Sequence, residues 1–275
     1  MSGSSTSSRA SEPTSTSCSD PGTLTAVATS RRKPEKLLRW RIVATLAIPV
    51  FEYFGRYRMR GLDNIPKRGA VVIAPNHVSN FDPLTTAYLV WRSGRVPRFL
   101  AKASLFRVPG FGWLLRFTGQ IPVERGGGGP DPLNAAKRLI SDELAIIVYP
   151  EGTLTRDPDE WPMRGKSGAV RLALEHGIPL VPVAHWGVQR ILPRYGGRLS
   201  LFRRQDVEIV VGAPLDLSRW TGRRDTEALT EATAALMDEI AALVGGLRGE
   251  EPPAERWNPV LHGQTEYGRF TPPAR

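Results

Sequence analysis

The sequence predicts an α/β fold, a single domain on a mixed, mostly parallel sheet flanked by helices. Three observations carry this. Short β-branched apolar runs bounded by Gly, Pro or Asp recur through the middle of the chain, and segments of helical periodicity separate them. Hydrophobic residues at 41% against charged residues at 23% leave enough apolar side chain to cover both faces of a sheet. At 275 residues the chain suits one such unit with loose ends.

In chain order, residues 1–34 are Ser, Thr, Gly and Pro with scarcely any large apolar side chain, and predict a disordered tail. Residues 36–54, KLLRWRIVATLAIPVFEYF, are apolar on nearly every helical face and interrupted by Pro49. They read as an interfacial helix or pair of short helices at 35–55, with Trp40, Phe51, Tyr53 and Phe54 suited to the headgroup level; a buried core helix is the other reading. The main domain follows over 56–248. Its candidate strands are 70–74, 98–101, 120–123, 145–149, 180–184 and 207–211, and its candidate helices 83–91, 132–143, 167–175 and 226–244. The Pro-rich stretch 249–275 reads as a C-terminal tail, which Trp257, Val260, Leu261, Tyr267 and Phe270 could pin to the domain.

Charge and cysteine content narrow the function classes. A net charge of +10 predicts attraction to polyanions, whether anionic headgroups, phosphorylated small molecules or nucleic acid. Residues 83–123 contain no acid but carry Arg92, Arg95, Arg98, Lys102, Arg107 and Arg116, and 186–204 carry five arginines. Both runs interleave cations with Trp, Leu and Phe, which suits an anionic lipid surface; solvated charge is the alternative, and recognition motifs for nucleic acid are absent. No apolar run reaches the ~18 residues of a membrane span. The one cysteine, Cys18, excludes an intramolecular disulfide, and no ligand spacing points to a metal.

Chemistry-bearing residues cluster where strands end. The first candidate strand runs into Asn76-His77-Val78-Ser79-Asn80-Phe81-Asp82-Pro83, in which Asp82-Pro83 opens a helix and His77 falls in the turn. Only a folded-back turn brings residues five apart together; a histidine so oriented by a carboxylate is a general base, although such a pair can also be purely structural. A second strand leads into Tyr149-Pro150-Glu151-Gly152-Thr153, where Gly152 allows close backbone approach and Glu151 and Thr153 offer polar groups to a polyol or phosphate ester. Arg164 and Lys166 precede a helix N-terminus, a favourable place for phosphate. Arg125 ends a third strand and suits bidentate phosphate binding. His176 sits at a helix end, His185 follows a strand and His262 lies in the tail; none of the three is assigned a catalytic role.

Taken together, four motifs resemble those of the glycerolipid acyltransferase family that includes 1-acylglycerol-3-phosphate acyltransferase. They are Asn76-His77-Val78-Ser79-Asn80-Phe81-Asp82, Ile121-Pro122-Val123-Glu124-Arg125, Tyr149-Pro150-Glu151-Gly152-Thr153 and Ile178-Pro179-Leu180-Val181-Pro182-Val183. The resemblance covers residues 36–245. It implies a fatty acyl thioester donor, on CoA or acyl carrier protein, and a lysophospholipid or glycerol-phosphate acceptor. It also implies His77 as base, Asp82 as its orienter, and Arg125, Glu151 and Gly152 at the acceptor. Thr153, Arg164, Lys166 and Lys102 complete the expected substrate-binding set, with no cofactor beyond the thioester co-substrate. Leu154 stands where an arginine often follows Glu-Gly-Thr, leaving Arg156 or Arg164 to take its part.

The expected function is therefore acyl transfer to a lysophospholipid hydroxyl, in phospholipid biosynthesis, by a peripheral or monotopic protein on the cytoplasmic face of the cell membrane. Its partners would be an anionic membrane surface, the donor and the acceptor, and no nucleic acid. Alternatives are a non-catalytic anionic-lipid module, and a thioesterase or lipid hydrolase using the same histidine.

Overall fold

The computed structural model describes residues 35–123, 140–195, 199–200 and 203–264. The tail expected over 1–34, Arg125, and most of the helix expected over 132–143 lie outside them. Seven strands form one sheet: β1 Gly55–Arg60, β2 Val71–Pro75, β3 Pro97–Lys102, β4 Ile121–Val123, β5 Ala145–Ile147, β6 Leu180–Trp186 and β7 Gln205–Val211. Their order is β1-β7-β6-β2-β5-β3-β4. The five strands from β6 to β4 are mutually parallel; β7 runs antiparallel to β6, and β1 parallel to β7. The mixed, mostly parallel sheet matches the sequence expectation.

Helices cover both faces of this sheet. They are α1 Glu35–Phe54, α2 Asp82–Arg92, α3 Phe111–Phe117, α4 Gly168–His176, α5 Val188–Ile191 and α6 Thr226–Arg248. Alternation along β2 explains the layering, because successive side chains of a strand point to opposite faces. Val72 and Ala74 pack with Ala169, Leu172, Leu236 and Ile240 of α4 and α6. Val71 and Ile73 face the other way, into a core with Phe51 of α1 and Leu89 of α2.

Several sequence expectations are corrected here. β1 was not among the candidate strands, yet its Arg-Tyr-Arg-Met-Arg alternation places Arg56, Arg58 and Arg60 on the exposed face. There they pair with Asp206 and Glu208 of β7 at 3.0–3.4 Å. Such exposed pairs stabilise little but cover a sheet edge with charge. Residues 36–54 form one continuous helix through Pro49. Its Trp40 and Phe51 are buried in the protein, not available to lipid: Trp40 donates Nε1–H to the Thr118 carbonyl at 3.0 Å and stacks on Trp91, and Phe51 stacks on Phe81. Arg95 and Arg98 of the acid-free run are buried too, with Arg95 donating to the Gly69 and Glu143 carbonyls and Arg98 to that of Thr118.

The C-terminal stretch also packs back as far as residue 264. Gly249 ends α6 in the left-handed region at φ 69°. The Trp257 carbonyl then accepts the Arg164 N–H at 3.0 Å, and Trp257 stacks on His262.

Candidate active site

Because five neighbouring strands are parallel, their carboxyl ends converge on one edge, where ligands of open α/β sheets bind. The β2–α2 turn lies at the centre of this edge. Asn76 continues the ladder with its side chain, donating to the His185 carbonyl at 3.1 Å and accepting the His185 N–H at 2.9 Å. The chain then folds back so that His77 Nδ1 lies 2.8 Å from Asp82 Oδ2. The same oxygen accepts the Val78 and Ser79 N–H groups at 2.7 and 2.8 Å, so the turn closes around the carboxylate. Asp82 is fully buried, whereas the His77 side chain keeps 16% exposure.

An Nδ1–H donated to a carboxylate leaves Nε2 as the acceptor nitrogen, the tautomer required of a base. The imidazole is held on one face by the Tyr149 ring, 4.2 Å away between centroids. Burial raises the Tyr149 phenol well above its usual range, so it is a neutral hydroxyl, at 2.9 Å from Thr86 Oγ1.

Glu151 is placed differently from the sequence expectation. Its side chain is fully buried; Oε1 accepts the His77 N–H at 2.8 Å and Oε2 the Met163 N–H at 3.1 Å. On the other side of the same residue, the His77 carbonyl accepts the Thr155 N–H at 2.7 Å. Glu151 thus clamps the main chain at His77.

Burial raises Glu151 from 4.5 to about 8. The folded protein therefore retains a proton that the unfolded chain loses above pH 4.5, and this contribution to stability declines as the pH rises through about 8. Glu151→Gln removes both the titration and one acceptor, and is expected to cost about 1–3 kcal/mol at pH 5. The melting-temperature gap between wild type and Glu151→Gln is expected to narrow from pH 5 to 8. A gap that stays constant over this range would mean an ionised Glu151 throughout.

The turn after Glu151 opens toward the phosphate-binding candidates. Gly152 sits at φ 72°, and a Cβ there would stand 3.2 Å from Lys166 Cδ, so the lysine stem lies across the bare backbone. A cavity of about 450 Å³ adjoins it, between the Glu151 turn, α6 and the returning C-terminal stretch. Arg164, Lys166 and Ser167 line one wall, Thr230 and Met237 of α6 another, and Arg256 the third. Sequence reasoning did not find Arg256; Trp257, which holds this stretch on Arg164, was the available signal.

Comparison with known proteins fits this arrangement. The acyltransferase family model matches residues 56–186, from β1 to the end of β6, and takes in the His77 turn and the Glu151 turn. Over these residues the chain matches the acyltransferase family. Within this family the 1-acyl-sn-glycerol-3-phosphate acyltransferase of Bacillus subtilis is 28% identical, over 69% of this chain and 88% of that protein. The chloroplast 1-acyl-sn-glycerol-3-phosphate acyltransferase BAT2 of Brassica napus is 25% identical over 62% of this chain, which spans only about half (47%) of that relative's length. The 1-acyl-sn-glycerophosphate (LPA) acyltransferase PlsC from Thermotoga maritima superposes with a TM-score of 0.59 at 23% identity, covering 84% of this chain and 86% of that one, and shares the fold.

One position departs from the expected pattern: Leu154 stands where an arginine often follows Glu-Gly-Thr. Arg156 is buried, with its N–H on Met163 Sδ at 3.4 Å, whereas Arg164 is exposed at the cavity. Of the two candidates for the cation displaced by Leu154, Arg164 has the access. Lys102 is exposed at the carboxyl end of β3, in register with Val123 of β4.

Proposed function

We propose that this chain is an O-acyltransferase that moves a fatty acyl group from a thioester, on CoA or acyl carrier protein, to a lysophospholipid hydroxyl. The favoured reaction converts 1-acylglycerol-3-phosphate to phosphatidic acid, at the cytoplasmic face of an anionic membrane. The observation that carries this reading is the His77 Nδ1 to Asp82 Oδ2 contact of 2.8 Å in a partly exposed turn at the carboxyl edge of the sheet. The names of the family relatives support the choice of acceptor.

In the reaction, the acceptor hydroxyl gives its proton to His77 Nε2 as its oxygen attacks the thioester carbonyl. Asp82 stabilises the imidazolium that forms. The tetrahedral intermediate collapses by breaking its C–S bond, and the departing thiolate takes the proton from His77. No bond to the protein forms at any stage. Arg164 and Lys166 at the cavity supply cations for the acceptor phosphate, Lys102 and Arg125 are further candidates near other strand ends in the sequence, and Gly152 lies against the Lys166 stem with Thr153 next to it in the chain.

Purified protein is to be given acyl-CoA or acyl carrier protein with a panel of lysophospholipids, and the products read by mass spectrometry. Phosphatidic acid is the expected product. Free fatty acid alone would indicate a thioesterase or hydrolase, and vesicle binding with no turnover a non-catalytic lipid module. Lys166→Ala is expected to raise the acceptor KM about tenfold, as for one charge-assisted hydrogen bond, while kcat and the donor KM change little. A shift in the donor KM instead would move the cavity to the thioester side.

A further inference from the structure

His185 is the buried titratable group that this mechanism leaves unused. It lies near the end of β6, at 1% side-chain exposure; neither ring nitrogen makes a well-formed hydrogen bond among the described residues, although the Asn76 and His185 main-chain groups lie close enough to act on the ring. Its Nδ1 stands 3.8 Å from Asp82 Oδ1, the carboxylate oxygen that faces away from His77. That oxygen is also buried and without a hydrogen bond among the described residues, while Oδ2 has three donors. An apolar side chain would fill this position without stranding polar atoms, so two orphaned groups facing each other in a buried site call for a physical reason.

We infer that His185 is a positioning residue for the proposed proton transfer, donating from Nδ1 to Asp82 Oδ1 as charge develops on His77. The inference rests on the acyltransferase reading above. A closure of about 1 Å brings 3.8 Å into hydrogen-bond range. The means of holding the two residues together already exist, because the Asn76 amide grips both main-chain groups of His185 and Asn76 is joined directly to His77. Burial lowers the His185 pKa, which keeps the ring neutral with a single N–H. Asp82 and His77 are the titratable groups whose charges bear on the ring; Tyr149 and Glu151 bear on Asp82 from the loop after β5.

In that arrangement the carboxylate is gripped at both oxygens. When His77 takes the acceptor proton, Asp82 stays an anion hydrogen-bonded on each side, and the proton remains on His77 for delivery to the leaving thiolate. His185 neither gains nor loses a proton. The same contact draws on the charge of Asp82, so its loss changes the charge that the carboxylate presents to the imidazolium.

The test compares His185→Leu with His185→Asn, whose side-chain amide can place an N–H where Nδ1 now lies. Leu is expected to lower kcat about ten- to hundredfold, the scale of a hydrogen bond to a charged group, with little change in either KM. It is also expected to move the acidic limb of the kcat profile, while Asn holds both within a few fold of wild type. A folded His185→Leu protein with wild-type kcat and pH profile would reduce His185 to packing, and so would an Asn variant that behaves like Leu. Nitrogen-15 NMR of histidine-labelled wild-type protein needs neither variant: a neutral Nδ1–H tautomer of His185 is expected at pH 7–8, above the ordinary histidine pKa from which burial lowers it, and a neutral Nε2–H tautomer overturns the inference. If the protein transfers no acyl group at all, the acyltransferase reading fails while the tautomer still decides whether His185 serves Asp82.

Discussion

His77→Ala is expected to lower acyl transfer by about 10²–10⁴-fold, the range for a lost general base, with the protein still folded and still bound to vesicles. The ring contributes little to the core: its side chain is partly exposed, and the bonds that fix the turn at this residue belong to its main chain, through Glu151 and Thr155. Removing the imidazole thus deletes the proposed base and leaves the scaffold. Asp82→Asn tests the same pair from the other side. An Asn amide can offer its oxygen or its nitrogen to the ring, and if the nitrogen is presented the preferred tautomer reverses. The carboxylate also accepts the Val78 and Ser79 N–H groups, so this variant is expected to lose stability as well as activity. Steady-state rates with a fixed thioester, read beside melting temperatures, separate the two effects. Near-wild-type transfer by purified His77→Ala would sink the mechanism.

The parts of this site that were legible in the sequence are those fixed by local rules. β-branched runs gave the parallel strands, and Asp82-Pro83 marked the start of α2, which limits His77 to the turn before it. What was not legible depends on distant partners. The alternation of Arg56, Arg58 and Arg60 in β1 takes its meaning from Asp206 and Glu208 on β7, which pair with it across the sheet. Glu151 offered a carboxylate at a strand end, and only the fold reveals that two N–H groups from separate segments claim it. His185 shows the same dependence on distant partners: β6 runs parallel to β2 with Pro75 opposite Val183, a register that sets His185 beside the His77 turn and that no local rule in the sequence fixes. Arg95 and Trp40 show the converse, since residue type suggested a surface role and burial withdrew it.

Changing Leu38 and Leu46 together to aspartate is expected to weaken binding to anionic vesicles by about a hundredfold, without a matching loss of fold stability. No helix among the described residues is long and apolar enough to cross a membrane. What α1 does carry is a row at four-residue spacing, Leu38, Ile42, Leu46 and Val50, exposed by 50–72%. Four residues advance a helix by about 400°, so this row stays on one broad face. The opposite side of the helix holds Trp40 and Phe51 against the domain, which fixes the row outward. Beside it, Trp113 of α3 is 60% exposed and stacks on Phe117, over which Arg39 lies at 5.4 Å. Apolar side chains with the exposed Arg39 and Arg41 on the same helix suit the headgroup boundary of an anionic leaflet. Two leucines that leave water contribute about 2–4 kcal/mol together, and at about 1.4 kcal/mol per decade that is a ten- to several-hundredfold change in partitioning. Each nearby cation adds about 1 kcal/mol, a part that salt screens. Co-sedimentation with anionic and zwitterionic vesicles, at low and high salt, separates the two contributions. Deleting residues 1–54 would be a poor substitute, because it removes Phe51 from the core along with the row. If the double variant kept its wild-type melting temperature and still bound anionic vesicles as tightly, the outward face of α1 would not be the docking surface and the arginines near α3 would have to hold the protein alone.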